Sequence, residues 1–232
     1  KKTLTLSSSQ SHRNQLNMSD LISREIHLVS RPNGLPVPAN FKLVENLLTP
    51  GASDIIVKNL LMSVDPAMRP ALSNHQTNLD EVMSGSAIGK VIRSSSIEYP
   101  EGSYVRHRSG FREYHVSDGT DLDVIQPEDE SISTHLHVLG GTGLTAYGGL
   151  LVTGQLQKNE NVFVSAAAGA VGSVVCQLAK IHDCLVAGSC GSDAKVDYLL
   201  NEIGKKLIRL KNVKIISSTL NFYQDSGFTG SA

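Results

Sequence analysis

Residues 161–180 constrain the fold more than any other part of the chain. A short apolar run at residues 162–164 leads into a turn of alanine and glycine. Apolar residues then recur at positions 171, 174, 175 and 178, which is helical spacing. This order predicts a strand, a tight turn and a helix. Such a turn presents backbone N–H groups at a helix N-terminus, where an anion can bind.

Three small residues of this turn fit the dinucleotide-binding fingerprint. Ala167, Gly169 and Gly172 stand where the fingerprint needs a tight turn, close approach of a pyrophosphate, and close packing of helix on strand. The first of these positions holds alanine instead of glycine. The pattern therefore predicts a phosphate-binding turn, and the alternative is a glycine-rich turn with a purely structural role.

The residues after the next apolar run favour one cofactor. That run, residues 184–188, ends about 20 residues after the glycine turn, where NAD-binding units carry an acidic residue on the ribose. Here the first carboxylate is Asp193, and Lys195 follows it. A carboxylate would repel a ribose 2′-phosphate, whereas small hydroxyl side chains and a lysine accept one. The sequence predicts NADPH as cofactor. The alternative is that Ser192 and Asp193 only cap a helix over residues 193–203 and that Lys195 is solvated.

The N-terminal half of the chain has mainly strand signals. Short apolar runs, separated by glycine and proline, predict strands over residues 25–30, 41–46, 54–63, 85–92, 103–108 and 111–116. Many short strands with little helical signal predict a compact all-β, barrel-like domain over residues 20–137. Residues 1–19 are polar and serine-rich, and they predict a disordered extension. A glycine-dense stretch at residues 140–151 predicts a helix, the alternative being a loose linker between domains.

Composition limits the classes of partner. The formal net charge is -1 and the sequence pI is about 6.8, so nothing in the charge favours nucleic acid or a membrane surface. No apolar stretch approaches the roughly 18 residues of a membrane span, and the N-terminus lacks the apolar centre of a secretory signal. The three cysteines and the scattered histidines fit neither a disulfide framework nor a zinc spacing. We therefore expect a cytoplasmic protein without a metal site.

Five separated motifs resemble one family. They are residues 30–41, residues 61–69 (Leu-Met-Ser-Val-Asp-Pro-Ala-Met-Arg), residues 143–147 (Gly-Leu-Thr-Ala-Tyr), residues 165–172 and residues 188–195. Their identity and order resemble the zinc-independent medium-chain dehydrogenase/reductases of the prostaglandin reductase, leukotriene B4 dehydrogenase and alkenal double-bond reductase group. The likeness looks closest to the NADPH-dependent curcumin reductase branch. One departure is Ala67, where the family usually has tyrosine.

The resemblance implies a fold and an activity. The fold is α/β plus β: a GroES-like β-barrel domain over residues 20–137, then an incomplete Rossmann domain with a doubly wound parallel sheet over residues 138–204. The activity is reduction of a carbon–carbon double bond conjugated to a carbonyl, with hydride transferred from NADPH to the β-carbon. The partners implied are a small α,β-unsaturated carbonyl substrate and, as an option, a second copy in a homodimer.

The resemblance also implies site residues. Met62 and Asp65 fall on the substrate side of the cleft, and Lys195 falls on the lysine that holds the 2′-phosphate. The full set of implied cofactor-binding residues is Thr145, Ala167, Ala168, Gly169, Ala170, Val171, Gly172, Ser189, Gly191 and Lys195. The catalytic residue is left unassigned, because the family's catalytic tyrosine lies beyond the end of the likeness.

The likeness ends after Gly204. Residues 205–232 form a divergent basic tail, and we expect a chain that is C-terminally truncated relative to the family. Two alternatives to a working double-bond reductase follow. One is a catalytically inactive product that retains some nucleotide binding, and the other is a zinc-free quinone reductase, which shares the architecture.

Overall fold

The computed structural model describes residues 21–73, 77–127 and 131–203, together with the backbone of residues 208–209 and 229–230. The chain divides into two compact units, one formed by most residues up to Leu122 and one formed by those from Asp123 onward together with Ser86–Ile88. The predicted N-terminal extension lies outside the described residues. So does most of the predicted basic tail, apart from two short backbone segments.

Strands dominate the sequence up to residue 125. The elements in chain order are β1 (Leu21–Leu28), a 3₁₀ turn (Pro38–Asn40), β2 (Phe41–Leu48), β3 (Ile55–Met62), α1 (Met68–Ser73), β4 (Glu81–Val82), β5 (Ala87–Arg93), β6 (Tyr104–His107), β7 (Tyr114–Ser117) and β8 (Asp123–Ile125). They form a three-stranded sheet in the order β2-β1-β4 and a five-stranded sheet in the order β7-β3-β5-β6-β8. The six predicted strands are confirmed, with shifted ends. The structure adds α1, β4 and β8, which were not predicted.

Buried aliphatic side chains hold the first unit together. Ile55, Val57 and Val105 belong to one cluster, and each is at most 2% exposed. Burial of one such side chain contributes about 1.5–3 kcal/mol. Gly89 on β5 lets the strands approach, since a Cβ there would lie 2.3 Å from Cγ1 of Val57. Only a residue without a side chain fits at this contact.

An isolated bridge pairs Glu25 on β1 with Arg112, in the segment just before β7. Pairing between β1 and β2 is antiparallel along the whole of both strands, from Leu21 opposite Leu48 to Leu28 opposite Phe41. These contacts do not amount to a closed ring of strands. Closure into the predicted barrel therefore stays a prediction.

The second unit contains a small parallel sheet. Its elements are a 3₁₀ turn (Ile132–Leu136), α2 (Gly141–Tyr147) continued by a π-helical turn (Gly148–Thr153), β9 (Asn161–Val164), α3 (Ala170–Ile181), β10 (Leu185–Gly188) and α4 (Asp193–Tyr198) continued by a second π-helical turn (Leu199–Ile203). Two short segments, β11 (Ile208–Arg209) and β12 (Thr229–Gly230), complete the sheet in the order β11-β10-β9-β12, and every pairing is parallel. Since β9 and β10 are parallel neighbours joined by α3, the predicted strand-turn-helix unit and its second strand are confirmed.

The core of this unit lies where α3 meets the sheet. Val162 and Val164 on β9, Cys176 and Ala179 on α3, and Val186 on β10 are buried in one cluster. Alternate positions of β9 point into it, as the pleat of a strand requires. The cluster fixes the position of the α3 N-terminus at the end of β9. No helix in the described ranges is long and apolar enough to span a membrane.

The glycine-dense start of α2 is closely packed. A Cβ on Gly143 would lie 1.7 Å from the carbonyl oxygen of Val138, and one on Gly140 would lie 2.5 Å from that of His135. The N–H of Gly143 donates to the carbonyl of His137 at 2.9 Å. The predicted helix is confirmed, and the alternative of a loose linker is wrong, because the glycines let the helix start rest against the turn before it.

Candidate functional site

The turn between β9 and α3 is fixed to the neighbouring strand by its own backbone. Ala166 adopts a left-handed conformation with φ of 48°, and its carbonyl accepts the N–H of Gly169 at 2.7 Å. The N–H of Ala167 donates to the carbonyl of Ser189 at 2.9 Å. The N–H of Ser189 in turn donates to the carbonyl of Val164 at 3.0 Å. The turn is therefore held against the end of β10.

The two predicted fingerprint glycines lie where the helix start is most crowded. A Cβ on Gly172 would lie 2.5 Å from the carbonyl oxygen of Ala166 and 2.9 Å from Cα of Ala167, which leaves room only for glycine. A Cβ on Gly169 would lie 3.0 Å from the same oxygen. Ala167 is fully buried. The left-handed residue of the turn is Ala166, which the fingerprint did not single out.

Several amides at the start of α3 are open. The first N–H to bond within the helix is that of Ser173, which donates to the carbonyl of Gly169 at 2.9 Å. Within the part of the chain that the structure describes, the N–H groups of Ala170, Val171 and Gly172 have no acceptor, and Ala170 and Val171 are exposed. No acidic residue lies in this first turn. The open amides and the dipole of a 12-residue helix together suit an anion.

The loop after β10 holds the residues predicted to select the cofactor. Ser189 is half-buried, and Gly191 is exposed with open space around it. Ser192 is the N-cap of α4, and its Oγ accepts the N–H of Lys195 at 3.4 Å. The helix-capping alternative therefore holds for Ser192. The Lys195 side chain is exposed, so contact with a 2′-phosphate stays a prediction.

Thr145 lies on α2, which packs against α3. Its side chain is exposed, and its hydroxyl donates to the carbonyl of Gly141 at 2.8 Å. The hydroxyl hydrogen is thus used within the helix, while the oxygen can still accept a hydrogen bond. Its assignment to the cofactor stays a prediction.

Met62 and Asp65 lie in the first unit, at the end of β3 and in the turn after it. The Oδ1 of Asp65 accepts the hydroxyl of Ser63 at 2.8 Å. The thioether of Met62 is 2.9 Å from the N–H of Phe111, and the residue is 44% exposed. Both side chains therefore have structural partners, and a substrate-lining role stays a prediction.

Sequence reasoning missed a buried polar cluster in the first unit. His107 and His115 are 3% and 8% exposed, and their rings stack with centroids 4.8 Å apart. Nε2 of His115 lies 2.7 Å from Oδ2 of Asp121, and Nε2 of His107 lies 2.8 Å from Oδ1 of Asn59. The signal in the sequence was weak, because each histidine simply takes an inward position on a short strand. Among the described residues, no group of histidine, cysteine or acidic side chains is arranged to hold a metal ion.

Burial controls the protonation of this cluster. Burial, followed by the neighbouring His115, lowers the pKa of His107 from 6.5 to about 4. Burial also lowers the pKa of His115, although Asp121 opposes the shift. Partial burial alone would raise the pKa of Asp121, but hydrogen bonds from Ser117 and His115 outweigh it and lower that pKa. Both imidazoles are therefore neutral near pH 7.

Comparison with known proteins gives consistent matches. Residues 24–125 match the family model of the N-terminal domain of oxidoreductases. The NADPH-dependent curcumin reductase of Escherichia coli is 36% identical over 183 residues, which are 76% of this chain and 53% of that protein. Prostaglandin reductase 1 of Mus musculus is 37% identical over 199 residues, 84% of this chain and 60% of that protein. The crystal structure of CurA from Vibrio vulnificus in complex with NADPH aligns with a TM-score of 0.76 at 31% identity, covering 87% of this chain and 62% of that one.

These matches, the N-terminal strands and the small parallel sheet define a medium-chain dehydrogenase/reductase-like oxidoreductase fold. Within that class, the chain belongs to the zinc-independent family of the prostaglandin reductases and curcumin reductases. The chain spans between about half and three fifths of the length of the relatives it matches.

Proposed function

We propose that the chain binds NADPH at the turn between β9 and α3 and uses it to reduce a carbon–carbon double bond conjugated to a carbonyl. The observation that carries the proposal is the open N-terminus of α3, where Ala170 and Val171 are exposed residues and their N–H groups have no acceptor in the described ranges. Supporting it, one relative is named as an NADPH-dependent reductase and another was crystallised with NADPH.

The turn fits a pyrophosphate on steric grounds as well as by charge. Gly169 and Gly172 let the turn close tightly on the carbonyl of Ala166, which a Cβ at either position would crowd. The open amides of the α3 N-terminus can then donate to a phosphate oxygen. Ala167 is buried in the core cluster of this unit and Ala168 packs against that cluster, so we assign both to the support of the turn. In this proposal the pyrophosphate lies over Gly169, Ala170 and Val171.

The adenosine end of the cofactor would meet the loop after β10. We assign the 2′-phosphate to Lys195 and the hydroxyl of Ser189, because no carboxylate stands between Gly188 and Asp193 to repel it. A Cβ on Gly191 would have no atom within 4 Å, so this position leaves space for the phosphate. Thr145 is assigned to the cofactor from the side of α2.

NADPH, when bound, supplies a hydride for the β-carbon of the enone. The contribution of the protein is to orient the substrate, exclude water and stabilise the negative charge that develops on the carbonyl oxygen. We place Met62 and Asp65 on the substrate side, where the half-exposed thioether offers apolar contact. We assign the proton donor to no residue of this chain. The proposal includes a barrel-like domain over residues 20–137 and an incomplete Rossmann domain over residues 138–204.

Titration of the purified full chain with NADPH, followed by nicotinamide fluorescence, tests the binding step. Reduction of a 2-alkenal then tests the chemistry. Binding with turnover supports the whole proposal, and binding without turnover supports the inactive alternative. A preference for quinones over enones favours the quinone reductase alternative. Absence of NADPH binding by folded protein overturns the proposal.

A pair of glycine variants locates the site. Gly172→Val should abolish NADPH binding, because its side chain would collide with the carbonyl of Ala166. Gly149→Ala is the control, since nothing lies within 4 Å of the added methyl group. If Gly172→Val does not fold, amide chemical shifts of the unaltered chain decide. NADPH should then shift the amides of Ala170 and Val171 more than those near the C-terminus of α3.

A further inference from the structure

The side-chain amide of Asn59 joins β3 to the segment of residues 109–113. Its Nδ2 donates to the carbonyl of Ser109 at 3.2 Å and to the carbonyl of Arg112 at 2.9 Å. Its backbone N–H donates to the carbonyl of Glu113 at 2.8 Å. Since both hydrogens of Nδ2 are used, Oδ1 must be the acceptor in its contact with Nε2 of His107.

These contacts fix the protonation state of His107. Nε2 must carry a hydrogen in order to donate to Oδ1 of Asn59 at 2.8 Å. Nδ1 accepts the N–H of Ser109 at 3.1 Å, so it must present its lone pair. Only the neutral ring satisfies both bonds. A proton on Nδ1 would point at the N–H of Ser109 and break that hydrogen bond.

The groups around His107 resist a positive charge. The ring of His115 stacks on it, and Arg112 lies close enough to disfavour a second cation. Asp121 favours protonation of His107, but this carboxylate already pairs with His115 at 2.7 Å. The carboxylates of Asp54 and Asp118 line the same cavity as Asp121, whose volume is about 370 Å³. Of the two imidazoles, His115 lines that cavity and His107 does not.

The segment of residues 109–113, which this cluster holds, contains a residue in an unfavourable backbone conformation. Phe111 adopts φ of 62°, which a bulky residue rarely does. Its N–H donates to the thioether of Met62 at 2.9 Å, and its carbonyl accepts the N–H of Ile26. The N–H of Gly110 donates to the carbonyl of Gly85 at 3.0 Å. The conformation at Phe111 thus depends on bonds made by its neighbours, including those to Asn59.

We propose that Asn59 and His107 form an acid-sensitive latch on residues 109–113. While His107 is neutral, the latch holds the segment against β3. When His107 takes up a proton, the bond from Ser109 is lost, the segment opens and the partner of the Met62 thioether leaves. An effect on turnover rests on the proposed function, which places Met62 on the substrate side, but the latch itself does not.

The sign and size of the effect follow from the two states of the ring. In the closed segment the pKa of His107 is lowered to about 4, whereas an opened, solvated ring would titrate at its ordinary 6.5. The open state therefore binds more protons, and opening is favoured as the pH falls. Between these values the opening equilibrium grows up to tenfold per pH unit, about 300-fold in all.

Amide hydrogen exchange of the full chain without cofactor tests the latch. From pH 7 to pH 4, the protection factors of Ser109 and Phe111 should fall by about two orders of magnitude. The amide of Val91, which donates to the carbonyl of Ser103 at 2.9 Å, reports global unfolding and should stay more protected than Ser109 and Phe111 at every pH. Equal protection of all three amides at both pH 7 and pH 4 would mean that residues 109–113 open only when the unit unfolds, and would overturn the proposal.

Two variants sharpen the test. Asn59→Ala should give the Phe111 amide low protection already at pH 7, with little further change on acidification. His137→Gln, at an exposed histidine, should leave every protection factor unchanged. If Asn59→Ala does not fold, ¹⁵N resonances of the unaltered imidazoles decide. A neutral His107 with its hydrogen on Nε2 at pH 6 supports the proposed latch. A charged His107 at that pH, with residues 109–113 still protected from exchange, contradicts it.

Discussion

At the scale of single residues, the choice between NADPH and NADH depends on Lys195. Its ammonium group is exposed, and its backbone N–H is bound to the Ser192 cap. We expect Lys195→Ala to weaken the binding of NADPH by about 1.5–3 kcal/mol, the range for a charge-assisted hydrogen bond. The binding of NADH should stay nearly unchanged. Binding titrations with both nucleotides measure this. Lys158→Ala is the control, since this lysine pairs with Asp183 at the surface. An equal loss for both nucleotides contradicts the assignment.

The left-handed backbone of Ala166 leads to a second prediction. A non-glycine residue in this region costs about 1–2 kcal/mol, and the exposed methyl group gains little in return. Ala166→Gly should therefore raise the free energy of unfolding by about 0.5–1 kcal/mol, after the greater entropy of glycine in the unfolded chain is allowed for. Ala194→Gly, exposed on α4, should lower it by a similar amount. Urea unfolding measures both. Two changes of the same sign would mean that the turn is not strained.

At the scale of elements, the sequence predicts helices and strands whose apolar residues recur periodically. It misses short strands and buried residues that depend on how strands pair. The β9-α3-β10 unit was predicted because an apolar run changes to helical spacing at the turn. The three-residue β8 and the two-residue β4 were missed, since so few residues show no alternation. His107 and His115 were missed for another reason. Their burial depends on which strand lies beside them, such as the register of Val57 opposite His115, and no local pattern contains that register.

The start of α2 shows the same dependence and can be tested. Gly143→Ala should lower the free energy of unfolding by at least about 2 kcal/mol, because its methyl group would overlap the carbonyl of Val138. Gly148→Ala has a helical backbone and open space around the added methyl group. It should raise the free energy of unfolding by about 0.5–1 kcal/mol. Chemical denaturation of the two variants gives the comparison. Similar effects at both glycines would show that Gly143 is not at a close contact.

At the scale of the whole molecule, the two units hold different kinds of buried group. The core of the second unit is apolar, with Cys176 as its most buried sulfur, and burial raises the pKa of that thiol to about 11. The first unit buries two imidazoles beside its aliphatic cluster. A thiol that is neutral in both the folded and the unfolded state below pH 7 adds no acid dependence. An imidazole that stays neutral in the folded chain but takes up a proton in the unfolded chain does make the stability depend on pH. The response of the chain to acid is therefore expected to come from the first unit.

The sign of that response follows from the lowered pKa of His107. The folded state keeps the ring neutral down to about pH 4, whereas the unfolded chain takes up a proton below about pH 6.5. The contribution of the neutral His107 to the free energy of unfolding is thus fully present above pH 6.5. It is lost as the pH falls toward 4, by about 2–3 kcal/mol for this ring. The pKa of His115 shifts in the same direction and adds to the loss.

Urea unfolding between pH 7 and pH 4.5, followed at tyrosines of the first unit, measures this loss of stability. His107→Gln should lose stability at pH 7, because the stacked ring is removed, but should show a shallower dependence on pH. A variant as steep as the unaltered chain would mean that His107 is already charged in the folded state, and that the Asn59 contact does not fix its tautomer.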